Sequence, residues 1–137
     1  MYKTIMVPID LAHLPQIAGA IDTAGDLARH YGATLAFVSI TAETPTAIAH
    51  NPEEFRARLS AFAAEQAARL GVEISAKAYA ATDPSIDIDK TLLEAISDTG
   101  ADLVVMASHR PGLADYFWAA HGAWLAKHAE ISIFLVR

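Results

Sequence analysis

Five short apolar runs alternate along the chain with four segments whose apolar residues recur every three or four positions. That rhythm confines the fold to a parallel sheet covered by helices on both faces. Lys3 to Ile9 (KTIMVPI) is rich in β-branched residues and reads as a strand buried on both sides, bounded by Asp10. From Pro15 to Tyr31 the residues Ile17, Ala20, Ile21, Ala24, Leu27, Ala28 and Tyr31 share one helical face, and Gly32 stops the helix. Thr34 to Ile40 is the second strand. Asn51-Pro52-Glu53-Glu54 is a helix start, with an N-cap, a proline at the first helical position and acids in the first turn; that helix runs to Gly71. Val72 to Tyr79 alternates apolar and polar residues, as expected of a strand with one wetter face near an edge. Thr82-Asp83-Pro84-Ser85 is turn chemistry, after which Ile86, Ile88, Leu92, Leu93 and Ile96 make a short helix before Gly100. Leu103 to Ala107 and Ile131 to Val136 are the last two strands. A helix carrying Leu113, Phe117, Trp124 and Leu125 and ending near His128 lies between them.

Five strands and four helices joined by right-handed crossovers give an open, doubly wound α/β sheet of order 3-2-1-4-5. Its switch point falls between the first and fourth strands, where Asp10 meets Ala107-Ser108-His109. The 137 residues suit one domain spanning 1–137. A 53% apolar fraction is that of a compact soluble protein, and no run reaches the roughly 18 apolar residues of a membrane span. A net charge of −6 argues against nucleic acid, whose binding needs a clustered basic stripe. With no cysteine there is no disulfide or thiolate metal site, and Met1-Tyr2-Lys3-Thr4-Ile5 reads as strand rather than signal peptide, so a cytoplasmic protein is expected.

The stretch Val104-Val105-Met106-Ala107-Ser108-His109-Arg110-Pro111-Gly112 runs from a buried-type strand through a polar turn into a helix. In open α/β sheets that is where ligands lie, and where helix N-termini offer N–H groups to anions. Ser108 beside His109 in sequence is not a nucleophile with its base, and no third group completes a hydrolase triad. The six histidines and the acids Asp83, Asp87 and Asp89 lack metal-ligand spacing, so no protein-ligated metal is expected. His13, His30 and His50 are expected on the surface, and His128 at a helix C-terminus, where the dipole favours a cation. Tyr116, Phe117, Trp118 and Trp124 read as core or dimer packing rather than a base-stacking platform. A phosphoryl-receiver domain would need an acidic pair after strand one and an Asp ending strand three, and a flavodoxin a hydroxyl- and glycine-rich first loop; both fit poorly.

Several fragments in matching order resemble the universal stress protein family: Val7-Pro8-Ile9-Asp10, Tyr31-Gly32-Ala33, Ala101 to His109, Lys127-His128-Ala129 and Phe134-Leu135-Val136-Arg137. The resemblance covers essentially the whole chain. It implies a fold of the adenine-nucleotide alpha-hydrolase-like type, a homodimer paired through the last strand, and in many members ATP or a related adenine nucleotide at the switch point. The family's nucleotide signature is Gly, two residues, Gly, nine residues, Gly, then Ser or Thr. Carried onto this chain it falls on Ala107, Arg110 and Ala119-Ala120, with the interval one residue shorter, so every marked position departs. The departures at Ala107 and Arg110 resemble a subgroup lacking the first two glycines. Loss of the hydroxyl at Ala119-Ala120 is the harsher change, although backbone N–H groups at Ala120 and His121 persist.

The resemblance assigns nucleotide contacts to Pro8, Asp10, Ile40 and Met106 on the adenosine side, with Ile40 taken as the end of strand two. On the phosphate side it assigns Ala107, Ser108, His109, Arg110, Ala119, Ala120 and His121. The reading that follows is a regulatory domain, not an enzyme, that binds an adenine nucleotide such as ATP, ADP or AMP. The alternative is a nucleotide-free adaptor of the same fold acting through protein contacts on a stress-response or transporter partner. Either way the apolar edge strand Ile131 to Val136 is expected to pair with a second copy.

Overall fold

A computed structural model describes residues 1–42, 49–81, 84–108 and 121–137. In chain order the elements are β1 (Thr4–Pro8), α1 (Leu14–Tyr31), β2 (Thr34–Ala42), α2 (Pro52–Leu70), β3 (Ile74–Ala81), α3 (Pro84–Thr99), β4 (Leu103–Ala107), α4 (Gly122–His128) and β5 (Ser132–Val136). The strands form one parallel sheet ordered β3-β2-β1-β4-β5, the topology expected from the alternation.

Alternation along the central strands divides the core in two. Ile5, Val7, Leu35, Phe37, Leu103 and Val105 face α1 and α2, where they meet Ile17, Ile21, Ala24, Leu59 and Ala63. Met6, Val38, Ile40, Val104 and Met106 face the other way, onto Ile88, Leu92 and Ala95 of α3 and Leu125 of α4. Because both faces are covered, the central strands can be apolar throughout, which is why they lack the two-residue period of a half-wet strand.

The helix ends follow their local chemistry. Asn51 accepts a hydrogen bond from the Glu54 N–H at 2.8 Å, and Pro52 opens α2. Gly32 and Gly71 end α1 and α2 at φ 66° and 68°, a left-handed conformation that glycine adopts without a Cβ clash. His128 closes α4, its Nδ1 2.8 Å from the Trp124 carbonyl and its ring stacked on Trp124, which itself packs against the second core.

Several boundaries differ from expectation, and three of the differences follow from pairing or capping that composition does not display. Strand β2 continues to Ala42, past the apolar run that ends at Ile40, because its ladder with β3 persists through Thr41↔Ala80 and Ala42↔Ala81. For the same reason β3 lies two residues later than Val72 to Tyr79. Helix α3 begins at Pro84 rather than after it, a proline being well suited to the first turn. Thr82-Asp83, the turn at Pro111-Gly112 and the residues Leu113, Tyr116, Phe117 and Trp118 fall outside the described residues.

Strand β3 is an edge, and its outer end is anchored by Tyr79, whose hydroxyl donates to Asp98 Oδ2 at 2.7 Å. Lys77 Nζ sits 3.6 Å from the same carboxylate. Burial first, and then the neighbouring Asp98 carboxylate, push the Tyr79 phenol far above its usual value of 10.0. A phenol raised in the folded state contributes stability that is complete below pH 10.0 and is lost as the pH climbs beyond it. Denaturant titrations at pH 8 and pH 11 should therefore show a smaller alkaline loss of stability for Tyr79→Phe than for the wild type; equal losses would remove Tyr79 as a cause.

Candidate functional site

The parting of β1 and β4 at the carboxyl end of the sheet begins with Pro8. Along β1 the odd-numbered residues bond to β2, as the Lys3 carbonyl accepts from Thr34 N–H at 3.0 Å and Ile9 N–H donates to the Val38 carbonyl at 2.7 Å. Even-numbered residues face β4, as the Thr4 carbonyl accepts from Asp102 N–H at 3.0 Å. Pro8 occupies an even position and has no N–H to donate. The β1–β4 register accordingly runs through Ile5↔Leu103 and Met6↔Val104, whereas the β1–β2 register runs on to Pro8↔Val38. Beyond that point the two strands attach to different neighbours, Ile9 to β2 and Ser108 to β5 through the Val136 carbonyl at 2.7 Å.

At the other end of the same pair Asp102 holds the strands together. Its carboxylate accepts from the backbone N–H groups of Lys3 and Thr4 at 2.9 to 3.2 Å. The strands are thus clamped at their amino ends and released at their carboxyl ends.

Asp10 stands at the released end, its side chain only 10% exposed. Oδ1 accepts from the Ala12 N–H at 3.0 Å, and Oδ2 lies 2.8 Å from His13 Nδ1. The carboxylate thereby organises the loop that follows β1. His13, expected on the surface, is instead drawn against this acid and is half-buried. His30 and His50 are exposed as expected.

The remaining expected residues are distributed as follows. Pro8, Met106 and Ala107 are buried around the divergence of β1 and β4. Ile40 is buried in β2 beside Tyr79, two residues before the strand ends, and so, contrary to expectation, is not its terminal residue. Ser108 leaves β4 with its Oγ shielded from solvent and without a hydrogen-bond partner, an unsatisfied group that calls for an explanation. His121 leads into α4, and its Nδ1 lies 2.6 Å from Asp89 Oδ1 on α3. His109, Arg110, Ala119 and Ala120 lie outside the described residues.

Two further residues contribute that composition did not single out. Ser39 is 2% exposed, and its hydroxyl donates to the Ile9 carbonyl at 2.6 Å, sealing the β1–β2 side of the loop so that the opening is toward β4. The signal was a single hydroxyl inside an apolar run. Asp89 was visible only as one acid in a group of three, although its partner is 32 residues away. Among the described residues no three His, Asp or Glu side chains converge as a metal site would require, and no helix is long and apolar enough to cross a membrane.

These features define a doubly wound α/β protein whose strands β1 and β4 part at the topological switch point, the place where such sheets take ligands. The sequence pattern of the universal stress protein family matches residues 1–137, and the chain belongs to that family. Solved structures agree on the fold. One is a universal stress family protein from Burkholderia pseudomallei, 22% identical, with a TM-score of 0.71, covering 98% of this chain and 96% of that one. A universal stress protein in complex with cAMP is 18% identical with a TM-score of 0.69, covering 99% and 97%. The Archaeoglobus fulgidus universal stress protein in complex with dAMP is 14% identical with a TM-score of 0.64, covering 99% and 98%.

Proposed function

We propose that this chain is a regulatory module that binds an adenine nucleotide (ATP, ADP or AMP) in the crevice between β1 and β4, and that occupancy biases its assembly or a partner rather than driving turnover. The observation that carries the reading is the nearly buried carboxylate of Asp10 at the mouth of a crevice that Pro8 obliges to open. A ribose hydroxyl is a donor suited to such an acceptor. The cAMP and dAMP complexes of proteins sharing the fold support adenine nucleotides as the ligand class. Pro8, Ile40, Met106 and Ala107 would surround the adenosine; Ser108, His109, Arg110, Ala119, Ala120 and His121 would meet the phosphates.

One observation favours the second reading, an adaptor that works without nucleotide. Asp10 is already satisfied by Ala12 and His13, so a ligand must share or displace those bonds. Isothermal titration with ATP, ADP and AMP separates the two. Binding that weakens about tenfold in Asp10→Ala, the loss of one hydrogen bond to a charged group, supports the nucleotide module. No heat at millimolar ligand with the wild type supports the adaptor.

We further propose a homodimer through β5. This edge strand exposes Phe134 to 44% and Leu135 to 38%, the large apolar side chains besides Met1 that the described surface leaves open. An apolar edge with unpaired backbone groups is normally covered. Sedimentation should show a dimer for the wild type and monomer for Phe134→Glu; a wild-type monomer, or an unchanged dimer in the variant, would refute this interface.

A further inference from the structure

His121 and Asp89 join two elements on one face of the sheet. The imidazole is tied to α3 by its Nδ1, 2.6 Å from Asp89 Oδ1, while the His121 carbonyl accepts from Leu125 N–H in the first turn of α4. Both side chains are partly shielded, 22% exposed for His121 and 31% for Asp89. A carboxylate accepts and does not donate, so the proton between them resides on Nδ1. That choice assigns the other nitrogen. Nε2 becomes the position through which the ring meets anything else, and it donates whenever the ring carries both protons.

A clasp for its own sake is a poor account of the pair. Helices α3 and α4 are already joined through Ile88, Leu92 and Leu125 in the second core, and a partly exposed hydrogen-bonded pair adds little to such packing. What the pair does supply is orientation, because an imidazole held at one nitrogen presents the other in a fixed direction. Its location is the carboxyl end of the sheet, the end at which Ser108 Oγ is shielded and unpartnered.

We propose that Asp89 is a positioning residue for the phosphate half of the nucleotide site. It holds the His121 ring through Nδ1–H, and when a bound phosphate brings a second proton onto the ring at Nε2, that N–H donates to a phosphate oxygen while the Asp89 carboxylate balances the charge. This rests on the nucleotide reading given above and extends it to a residue on α3.

The test compares adenosine with AMP on the full chain, for the wild type, Asp89→Asn, Asp89→Glu and His121→Gln, and records the ring ¹⁵N resonances of His121. The wild type should show the Nδ1–H form and bind AMP more tightly than adenosine. Asp89→Asn should erase about tenfold of AMP affinity while leaving adenosine within about twofold, with a shifted ring tautomer, and His121→Gln should match that loss. Asp89→Glu should recover part of it. Unchanged AMP affinity in Asp89→Asn, equal weakening of both ligands, or a wild-type ring that carries its proton on Nε2 alone with Nδ1 bare would each overturn the positioning role while leaving the nucleotide reading intact. A wild type that binds neither ligand would instead refute the nucleotide reading and this inference with it.

Discussion

A proline without an N–H, placed on the β4-facing side of β1, is the constraint on which the site depends. Each strand of a parallel sheet engages both neighbours through alternate residues, so removing one donor breaks the ladder on one side and spares the other. Pro8 does this at the carboxyl end of β1, where pairing to β2 continues and pairing to β4 has already ceased. The opposite end is closed by Asp102, which takes the backbone N–H groups of Lys3 and Thr4. A sheet fastened at one end and parted at the other has a crevice as a matter of geometry, before any ligand is considered.

The two cores make that crevice rigid. Phe37, Ile5 and Val105 hold α1 and α2 on one face, and Met106, Ile40 and Val104 hold α3 and α4 on the other. With fully buried side chains on both sides, the ends of β1 and β4 have little room to drift together. Where the strands part, several polar groups gather: Asp10 with His13, Ser39 on the Ile9 carbonyl, Ser108, and His121 with Asp89. Asp10, Ser39, His121 and Asp89 have polar partners that set their directions, whereas the Ser108 hydroxyl has none.

Much of the fold was legible in the chain because it is encoded locally. Gly32 and Gly71 mark their helix ends by needing positive φ, Asn51 and Pro52 mark a start, and the alternation of runs with helical periods decides the topology. Strand lengths were legible only in part. The apolar run of β2 stops at Ile40, yet the strand does not, because its end is set by hydrogen bonds to Ala80 and Ala81 of another strand. The site divides the same way. Asp10 could be named because it follows a buried strand directly, whereas Asp89 and His121 are 32 residues apart and meet only through the packing of α3 against α4. His13 was assigned to the surface because nothing in its neighbourhood reveals that the loop folds back on Asp10.

The most direct measurement is a titration of AMP into methyl-labelled protein followed by NMR. The account predicts that the methyl resonances of Ile9, Ile40 and Met106, which surround the parting of β1 and β4, shift together and saturate, while those of Leu93 and Ile96, toward the far end of α3, stay in place. Shifts confined to Leu93 and Ile96, or no shift at millimolar AMP, would contradict it.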